Sequence, residues 1–470
     1  MLTICLIISI VVMSNCSNKT TDDGGAAPCK KARVTTAVDV IDLAEDELEI
    51  EGETVEVAPE RMEGVDFNAM HGNLMQNPRI ASSSRSKRSD SEYPTIEPLN
   101  PPLLISRSDK PARAGYDRSM LGNEYMDDPS TLRQKVAMLA QLLRASTACC
   151  LYTGAGISTG AGISDYASKH HANSVTHDIA GKKKKCSHKE ALPGLSHRVL
   201  VALYRANMVH EWIQQNHDGL PQKAGLPQHC INEIHGAWFD PSNPVVSMSG
   251  ELRIDLVERM DLWKKKADLV LALGTSLAAV GADSIVDMAA KKQSNLKGNG
   301  AVIISLQRTY YDDVCALRIF GKLDEVLGLL AEYMELQVDH ATVNYTPEVD
   351  AVYNLSMDTF SIPYDASTGE KSTDGSRVEW NLRKGTSVEI KYGPATGFRG
   401  IMKGKTSQGH YQVEFPRILG YKDEWVLRRD AKRYPNEDPQ APRIYTMGSW
   451  WVQSAVQGLC DRVPFVSVST

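Results

Sequence analysis

The chain has 470 residues, more than one hydrophobic core organises, so its length indicates at least two domains or one domain with long flanks. Hydrophobic residues make up 42% and charged residues 23%, which excludes a fully disordered chain, a collagen-like chain and a multi-span membrane protein. The net charge of -6 is small for this length and argues against a chain that binds nucleic acid along its whole length.

The amino terminus carries an apolar run from Leu2 to Met13, which has the length of a signal-peptide core but is too short to span a bilayer. No Lys or Arg precedes the run. A leader, signal or anchor over residues 1–18 and a wrongly assigned gene start therefore both stay open, and a membrane partner is expected only if the run is retained. The nine cysteines form no CxxC pair, which favours a reducing compartment such as the cytoplasm or nucleus.

Residues 19–129 lack sustained hydrophobic periodicity. Ten carboxylates and no Lys or Arg lie between Asp39 and Glu60, and a Ser/Arg-rich stretch, SSSRSKRSD, follows. This composition predicts a disordered N-terminal region. We interpret the cluster RSKR at 85–88 as a solvated charge run rather than an import signal.

Short apolar runs alternate with amphipathic stretches from Ser130 onward, where Ser130 is expected to cap the first helix. The expected strands are Ala148–Tyr152, Leu269–Leu273 and Ala301–Leu306, and the expected later helices are Asp283–Lys292 and Leu323–Leu336. This alternation predicts an α/β domain over residues 130–340, with a Rossmann-like parallel sheet and helices on both faces.

The first expected strand runs into a glycine-rich loop, TGAGISTGAGIS. Gly154 and Gly156 let the backbone pass close to a diphosphate, and the following helix would offer its N–H groups to that anion. The next glycine is Gly160 rather than residue 159, and no acidic residue lies near the twentieth position after the loop. A hydride-transferring dehydrogenase is therefore disfavoured.

Further motifs follow in order: ALPGLSH, IQQNHDGLPQKAG, INEIHG, SGEL, LALGTSL and VIISLQRT. Together with TGAGISTGAGISDY they resemble, in order and spacing, the sirtuin family of NAD-dependent protein deacylases over about residues 131–340. The resemblance implies NAD as the cofactor and an acyl-lysine protein as the substrate. It also implies transfer of the acyl group to ADP-ribose with release of nicotinamide.

The resemblance assigns cofactor-binding roles to residues at several strand ends. These are Gly154, Ala155, Gly156 and Ser158 in the phosphate loop, Asp165 and Tyr166 over the nicotinamide, Gln215, Asn216 and Asp218 around the nicotinamide ribose, Gly274, Thr275 and Ser276 in a second loop, and Ser305 on the adenosine side. His235 matches the general base, a role that needs a side chain neutral near pH 7. Val245, Val246, Gly250 and Glu251 match the strands that clamp an extended acyl-lysine peptide, although an ordinary edge strand stays an alternative.

The chain departs from the family pattern after His235. Only fourteen residues separate His235 from Gly250, and none of them is Cys or His. The four-cysteine zinc module is therefore absent from this stretch, no metal is predicted there, and Trp238 and Phe239 are expected to pack over the surface that the module would cover. Ala167 stands where the family commonly has Arg, which puts full catalytic rate in doubt.

Three functions stay open on these residues: a zinc-less NAD-dependent protein deacylase, a protein ADP-ribosyltransferase, and a non-catalytic NAD-binding scaffold. The presence of His235, Asn216 and Asp218 favours an enzyme over the scaffold.

The carboxy-terminal part has a different character. After a polar linker at 341–376, short alternating runs predict a small all-β module, SH3-like or Tudor-like, over residues 377–434. It holds 13 basic and 6 acidic residues, so we expect it to attract nucleic acid or another acidic partner. A cage for a methylated ammonium group is disfavoured because rings such as Trp380 and Tyr411 must fill the core. The tail 435–470, with Trp450 and Trp451, has no predicted place.

Overall fold

The computed structural model describes the following residues: 60–61, 99–109, 111, 120–165, 174–176, 188–246, 252–278, 283–339, 358–416 and 441–468. Their strands are β1 (Glu60–Arg61), β2 (Leu103–Ser106), β3 (Glu124–Met126), β4 (Cys149–Thr153), β5 (Glu211–Gln214), β6 (Ile231–Glu233), β7 (Leu269–Leu273), β8 (Gly300–Ile304), β9 (Leu317–Ile319), β10 (Thr359–Ile362), β11 (Val378–Asn381), β12 (Ser387–Glu389), β13 (Arg399–Lys405), β14 (Tyr411–Phe415), β15 (Arg443–Met447) and β16 (Val466–Ser467). Their helices are α1 (Pro129–Ala145), α2 (Gly156–Thr159), α3 (Leu195–Arg205), α4 (Leu220–Lys223), α5 (Ile254–Lys266), α6 (Ser284–Ser294), α7 (Leu323–Tyr333) and α8 (Trp450–Val456), with 3₁₀ turns at His188–Glu190 and Gln228–Cys230.

Six parallel strands form the central sheet in the order β6-β5-β4-β7-β8-β9. Every residue of β4, β7 and β8 is buried. Such continuously apolar strands are typical of a parallel sheet covered on both faces. The strand predicted at Leu269–Leu273 has the bounds of β7, and the other two predicted strands overlap β4 and β8.

Helices cover both faces of this sheet, because alternate strand residues point to opposite sides. Leu151 and Leu271 lie in one core with residues of α1, α3 and α7. Tyr152 and Ala272 lie in the other core with residues of α5 and α6. The predicted Rossmann-like α/β fold is confirmed.

The first helix begins earlier than expected. Asp128, not Ser130, is its N-cap, and the Asp128 carboxylate accepts hydrogen bonds from the N–H groups of Ser130 and Thr131 at 3.0 and 3.1 Å. An aspartate satisfies the open N–H groups of a first turn as well as a serine does, and Pro129 follows it at the favoured N1 position.

Regular structure also precedes Ser130. Strands β2 and β3 pair in antiparallel fashion, and the N–H of Tyr125 donates to the carbonyl of Leu306, beyond the end of β8, at 2.8 Å. The buried salt bridge between Lys135 and Asp127, 2.7 Å, ties the following turn to α1. The predicted unstructured region therefore ends before residue 129. The leader at 1–18 and the charge cluster at 85–88 lie outside the described residues.

The carboxy-terminal module is an antiparallel sheet in the order β15-β14-β13-β12-β16, accompanied by the hairpin β10-β11 and by α8. It extends beyond the expected range 377–434, because β10 lies in the expected linker and β15, α8 and β16 lie in the expected tail. Trp380, Tyr411 and Phe415 are buried in its core, as expected for rings that fill a small sheet domain rather than surround a ligand.

In the described part of the chain, no helix is long and apolar enough to cross a membrane.

Candidate functional site

Most of the predicted site residues lie at one edge of the central sheet. Gly154 follows β4, Gln215 follows β5, Gly274 follows β7 and Ser305 follows β8, while His235 comes two residues after β6. Since all these strands are parallel and adjacent, their carboxyl ends meet at the same edge, where α/β sheets bind their ligands.

Two glycine loops touch at this edge. The N–H of Gly156 donates to the carbonyl of Gly274 at 2.8 Å, and the N–H of Gly154 donates to the carbonyl of Leu273 at 3.0 Å. A Cβ atom on Gly274 would lie 2.6 Å from the Ile157 nitrogen, and Gly274 has a φ of +60°. Only glycine accommodates both the contact and the conformation, so part of the glycine pattern serves the packing of the loops on each other.

Asn216 and Asp218 fasten the first glycine loop to the end of β5. The Ser158 hydroxyl donates to the Asp218 carboxylate at 2.6 Å. The Asn216 amide nitrogen donates to the Gly154 carbonyl and to the Ser158 hydroxyl, each at 3.0 Å. Both amide hydrogens of Asn216 are thus used within the protein, and its carbonyl oxygen is left as the group that can accept a bond from a ligand.

Asp218 is itself buried and fully engaged. Besides Ser158, its carboxylate accepts hydrogen bonds from the Leu220 N–H at 3.0 Å and from the Gln214 amide at 3.3 Å. Three donors fix the orientation of this carboxylate, so its contribution is to hold Ser158 and the loop in place.

A second set of contacts joins the ends of β4, β5 and β7 on the other side of the glycine loop. The Gln215 amide nitrogen donates to the Tyr152 hydroxyl, which donates to Asp283 at 3.0 Å. The Thr275 hydroxyl donates to the Gln215 amide oxygen at 3.2 Å. Gln215 and Thr275, predicted from distant motifs, are therefore direct neighbours.

His235 lies at the start of an irregular loop that turns back on itself. Gly236 has a φ of +91°, and a Cβ there would lie 2.3 Å from the Pro244 carbonyl oxygen. The N–H of Val246 donates to the His235 carbonyl at 3.1 Å. The predicted base and the predicted substrate-clamping residues Val245 and Val246 are thus adjacent in space.

Sequence reasoning missed His217, which supports the same loop. Its Nδ1 lies 2.8 Å from the Gly236 carbonyl, and its own carbonyl accepts from the Trp238 N–H at 2.9 Å. Burial lowers the pKa of His217, so the ring is neutral near pH 7 and Nδ1 carries the hydrogen that it donates. The only signal in the sequence is its place inside the QNHD motif.

Ser305 is not brought together with the others by side-chain contacts. Its hydroxyl accepts from the Arg318 guanidinium at 3.1 Å and donates to the Gln307 carbonyl at 2.9 Å. Asp165 is half-buried and ends its described segment. Tyr166, Gly250 and Glu251 lie outside the described residues.

Metal-binding residues do not gather within the described segments: no group of three or more His, Cys, Asp or Glu there could hold an ion.

The chemistry of the assembled edge suits a dinucleotide. The N–H of Ala155 has no acceptor among the described residues and lies half-buried at the tip of the glycine loop, where a phosphate oxygen could accept it. The neighbouring Asn216 carbonyl oxygen can accept from a sugar hydroxyl. The residues present therefore fit a phosphate-linked nucleotide at this edge of the sheet.

No protein-family model matches the chain. A solved structure, "Sir2-p53 peptide-NAD+", is similar over 42% of this chain and 97% of that chain, with 22% identity and a TM-score of 0.35. NAD-dependent protein deacetylase sirtuin-7 of Bos taurus is 27% identical over 342 residues, covering 64% of this chain and 83% of that protein. NAD-dependent protein deacetylase SRT1 of Arabidopsis thaliana is 30% identical over 300 residues, covering 51% of this chain and 62% of that protein. The chain is thus similar in sequence to these sirtuins, and the ordered motifs lie at the strand ends described above.

Proposed function

We propose that this chain is an NAD-dependent protein-lysine deacylase, which transfers the acyl group to ADP-ribose and releases nicotinamide. The observation that carries the proposal is the joining of the glycine loop to Asn216 and Asp218 at the sheet edge that also bears His235. The family relatives carry the names of NAD-dependent protein deacetylases.

Bound NAD supplies a sugar carbon from which nicotinamide can leave. Ala155 and Gly156 would hold its phosphates, and the Asn216 carbonyl oxygen would accept from the ribose. Ser158 and Asp218 keep Asn216 and the glycine loop in their relative positions, because their hydrogen bonds close within the protein. A site fixed in this way loses little order when it binds its ligand.

His235 would act as the general base. An imidazole that is neutral near pH 7 can take a proton from a sugar hydroxyl, and its strand end lies beside that of Asn216. The His235 backbone is held by Val246 and the Gly236 backbone by Glu233, so the ring starts from a supported position.

The acyl-lysine segment would lie along Val245 and Val246. The Val246 N–H donates to the His235 carbonyl, which keeps this segment beside the proposed base. A substrate peptide that adds to it as a further strand would bring its acyl-lysine toward the same edge of the sheet.

An acidic or nucleic-acid partner of the carboxy-terminal module stays a prediction. Several of its basic residues are paired within the module: Lys391 and Arg399 with Glu389, Lys403 with Glu414, and Lys405 with Asp358. These pairs reduce the charge open to a phosphate backbone, so the salt dependence of any DNA or RNA binding is the property to measure.

The deciding experiment incubates the full chain with NAD and an acetyl-lysine peptide, and measures free nicotinamide and the peptide mass. We expect both nicotinamide and deacetylated peptide. His235→Gln should lower turnover about 100-fold or more, the scale of a lost general base. His210→Gln is the matched control, because His210 lies at the opposite edge of the sheet, beside Cys149.

Two results would overturn the proposal. Nicotinamide release with a gain of ADP-ribose on protein and no deacetylated peptide indicates ADP-ribosyl transfer. No nicotinamide release, with NAD bound in calorimetry, indicates a non-catalytic NAD-binding protein.

A further inference from the structure

The loop that follows the proposed base is held by the carboxy-terminal module. We name residues 235–243 the base loop. Phe239 in this loop is 2% exposed and belongs to the core of the module rather than to that of the parallel-sheet domain. Its ring lies 5.2 Å from the ring of Trp450 and 5.0 Å from that of His410, and its carbonyl accepts from the Gly448 N–H at 3.0 Å.

A chain of hydrogen bonds continues from Trp450 toward His235. The Trp450 indole N–H donates to the Gln228 side-chain oxygen at 2.7 Å, and the Gln228 amide donates to Glu233 at 3.3 Å. Glu233 comes two residues before His235, and its carbonyl accepts from the Gly236 N–H at 3.0 Å and from the Asn243 amide at 2.9 Å. The module thus contacts both the side chains and the backbone that set the course of the base loop.

A separate contact fixes the far end of the loop. The module turn at Gly393 approaches so closely that a Cβ there would lie 2.6 Å from the Ser242 carbonyl oxygen. The Arg253 guanidinium lies over the Tyr392 ring of the same turn, 5.4 Å from its centre. The module therefore contacts the base loop at two points: Trp450 packs on Phe239, and Gly393 packs on Ser242.

We infer that the carboxy-terminal module is a working part of the catalytic unit, and that Trp450 and Phe239 are positioning residues that hold His235 in place. The inference rests on the proposed function, in which His235 is the base. The base loop contains no regular strand or helix in the structure, and the chain offers no Cys or other His within it to bind a metal. Packing against the module supplies the support that such a loop needs to orient a catalytic side chain.

The test compares Trp450→Phe with Trp380→Phe in the full chain. Both tryptophans are buried in the module, and each donates one indole hydrogen bond, but Trp380 donates to the Phe465 carbonyl at 3.0 Å, within the module. Both variants therefore remove one buried hydrogen bond and some ring volume. Only Trp450→Phe breaks the connection to Gln228.

We expect Trp450→Phe to lower kcat about tenfold with the KM for NAD within about twofold of the wild type, since misplacing a catalytic group affects the rate more than binding. Trp380→Phe should leave kcat within about twofold, even where both variants unfold at similarly lowered temperatures. Gln228→Met combined with Trp450→Phe should be no slower than Gln228→Met alone, because both changes interrupt one path.

Hydrogen–deuterium exchange provides a reading that does not depend on turnover. The N–H groups of Ala237 and Trp238 are bonded to the carbonyls of Asn243 and His217. They should exchange faster in Trp450→Phe and at the wild-type rate in Trp380→Phe. If either Trp450→Phe or its control unfolds, Phe239→Leu and Phe465→Leu form a second pair. Phe239→Leu should then lower kcat and speed exchange in the base loop, and Phe465→Leu should do neither.

Equal kcat and equal loop exchange in the two members of a pair would overturn the inference. A wild-type chain without turnover would instead contradict the proposed function, while a difference in loop exchange would still establish the support of the loop by the module.

Discussion

The Ser158 hydroxyl donates to the Asp218 carboxylate at 2.6 Å and so joins two loops that lie 60 residues apart in the sequence. Because Asp218 is 2% exposed, water cannot replace this bond. This bond holds the two loops together at the edge of the sheet. It also fixes the Ser158 hydroxyl, which accepts one of the two hydrogen bonds that the Asn216 amide donates.

Ser158→Ala should therefore weaken stability and NAD binding together. The change leaves a buried carboxylate short of one donor, which costs about 1–3 kcal/mol. We expect a lower unfolding temperature and a higher Kd for NAD in calorimetry. Ser294→Ala is the control, because the Ser294 hydroxyl donates to the Ala290 carbonyl near the end of α6. An unchanged Kd for NAD in Ser158→Ala would contradict the role given to this pair.

Gly274→Ala should damage the site more than another glycine of similar conformation. Gly274 and Gly375 have φ values of +60° and +77°, but a Cβ on Gly274 meets backbone at 2.6 Å whereas one on Gly375 meets nothing within 4 Å. Gly375→Ala thus measures the conformational strain alone, about 1–2 kcal/mol. Gly274→Ala causes the same strain, and in addition its Cβ would push the loop at Gly156 and Ile157 away from the loop at Gly274.

Calorimetry with NAD distinguishes the two effects. We expect Gly274→Ala to bind NAD at least about tenfold more weakly, a change of about 1.4 kcal/mol, and Gly375→Ala to bind it as the wild type does. Equal affinities in the two variants would mean that contact between the loops does not shape the pocket.

The position of these residues at one edge of the sheet was predictable, because each motif directly follows its strand. The run Leu269–Leu273 is wholly apolar and is followed at once by Gly274 and Thr275, so strand and loop could be placed from the sequence. The same holds for Gly154 after β4. In each case a short motif carries both the strand and the residues that its end presents.

The sequence predicted a small all-β module, but its full extent and its contact with the base loop were not predictable, for a physical reason. Strand β15 pairs with β14 across a gap of 27 residues, and Phe239 meets Trp450 across 210 intervening residues. Contacts of this kind depend on surfaces that exist only after each domain has folded, so the local pattern of apolar and polar residues does not predict them. The N-cap at Asp128 was missed because Asp128 and Ser130 are both good cap residues two positions apart.

Glu233→Gln should stabilise the protein in alkaline solution. Burial, with a smaller contribution from Asp240, raises the pKa of Glu233 to about 8 from 4.5. The folded state therefore keeps a proton that the unfolded state has lost, and this contribution to stability is full below pH 4.5 and lost as the pH rises through about 8. Between pH 6 and 8 this single group lowers the free energy of unfolding by at most about 1.4 kcal/mol per pH unit.

Thermal unfolding at pH 6, 8 and 9 measures this effect. Glutamine cannot ionise, so Glu233→Gln should show a smaller fall in unfolding temperature than the wild type across this range. Glu332→Gln, at an exposed position of α7, should follow the wild type. Parallel curves for Glu233→Gln and the wild type would show that the Glu233 carboxyl is already ionised at pH 6.

His410 should make the contact between the module and the base loop sensitive to acid. Burial and, secondarily, the charge of Lys223 lower the pKa of His410 to about 4. The His410 Nδ1 accepts from the Ser449 N–H at 3.2 Å, so a proton on Nδ1 would remove that bond and place a charge between Phe239 and Trp450.

The sign of the pH dependence follows from the lowered pKa. The unfolded chain binds a proton near pH 6.5 and the folded chain only near pH 4, so the stability from neutral His410 is full above pH 6.5 and is lost as the pH falls toward 4. The loss is at most about 3 kcal/mol for this group.

We expect the His410 ring to titrate below about pH 5 by NMR, and the wild-type unfolding temperature to fall between pH 6.5 and 4. His410→Asn keeps an acceptor for the Ser449 N–H without a titrating ring and should flatten this fall. A His410 ring that titrates near pH 6.5 in the folded protein would mean that water reaches it, and that the contact of Phe239 with the module opens in solution.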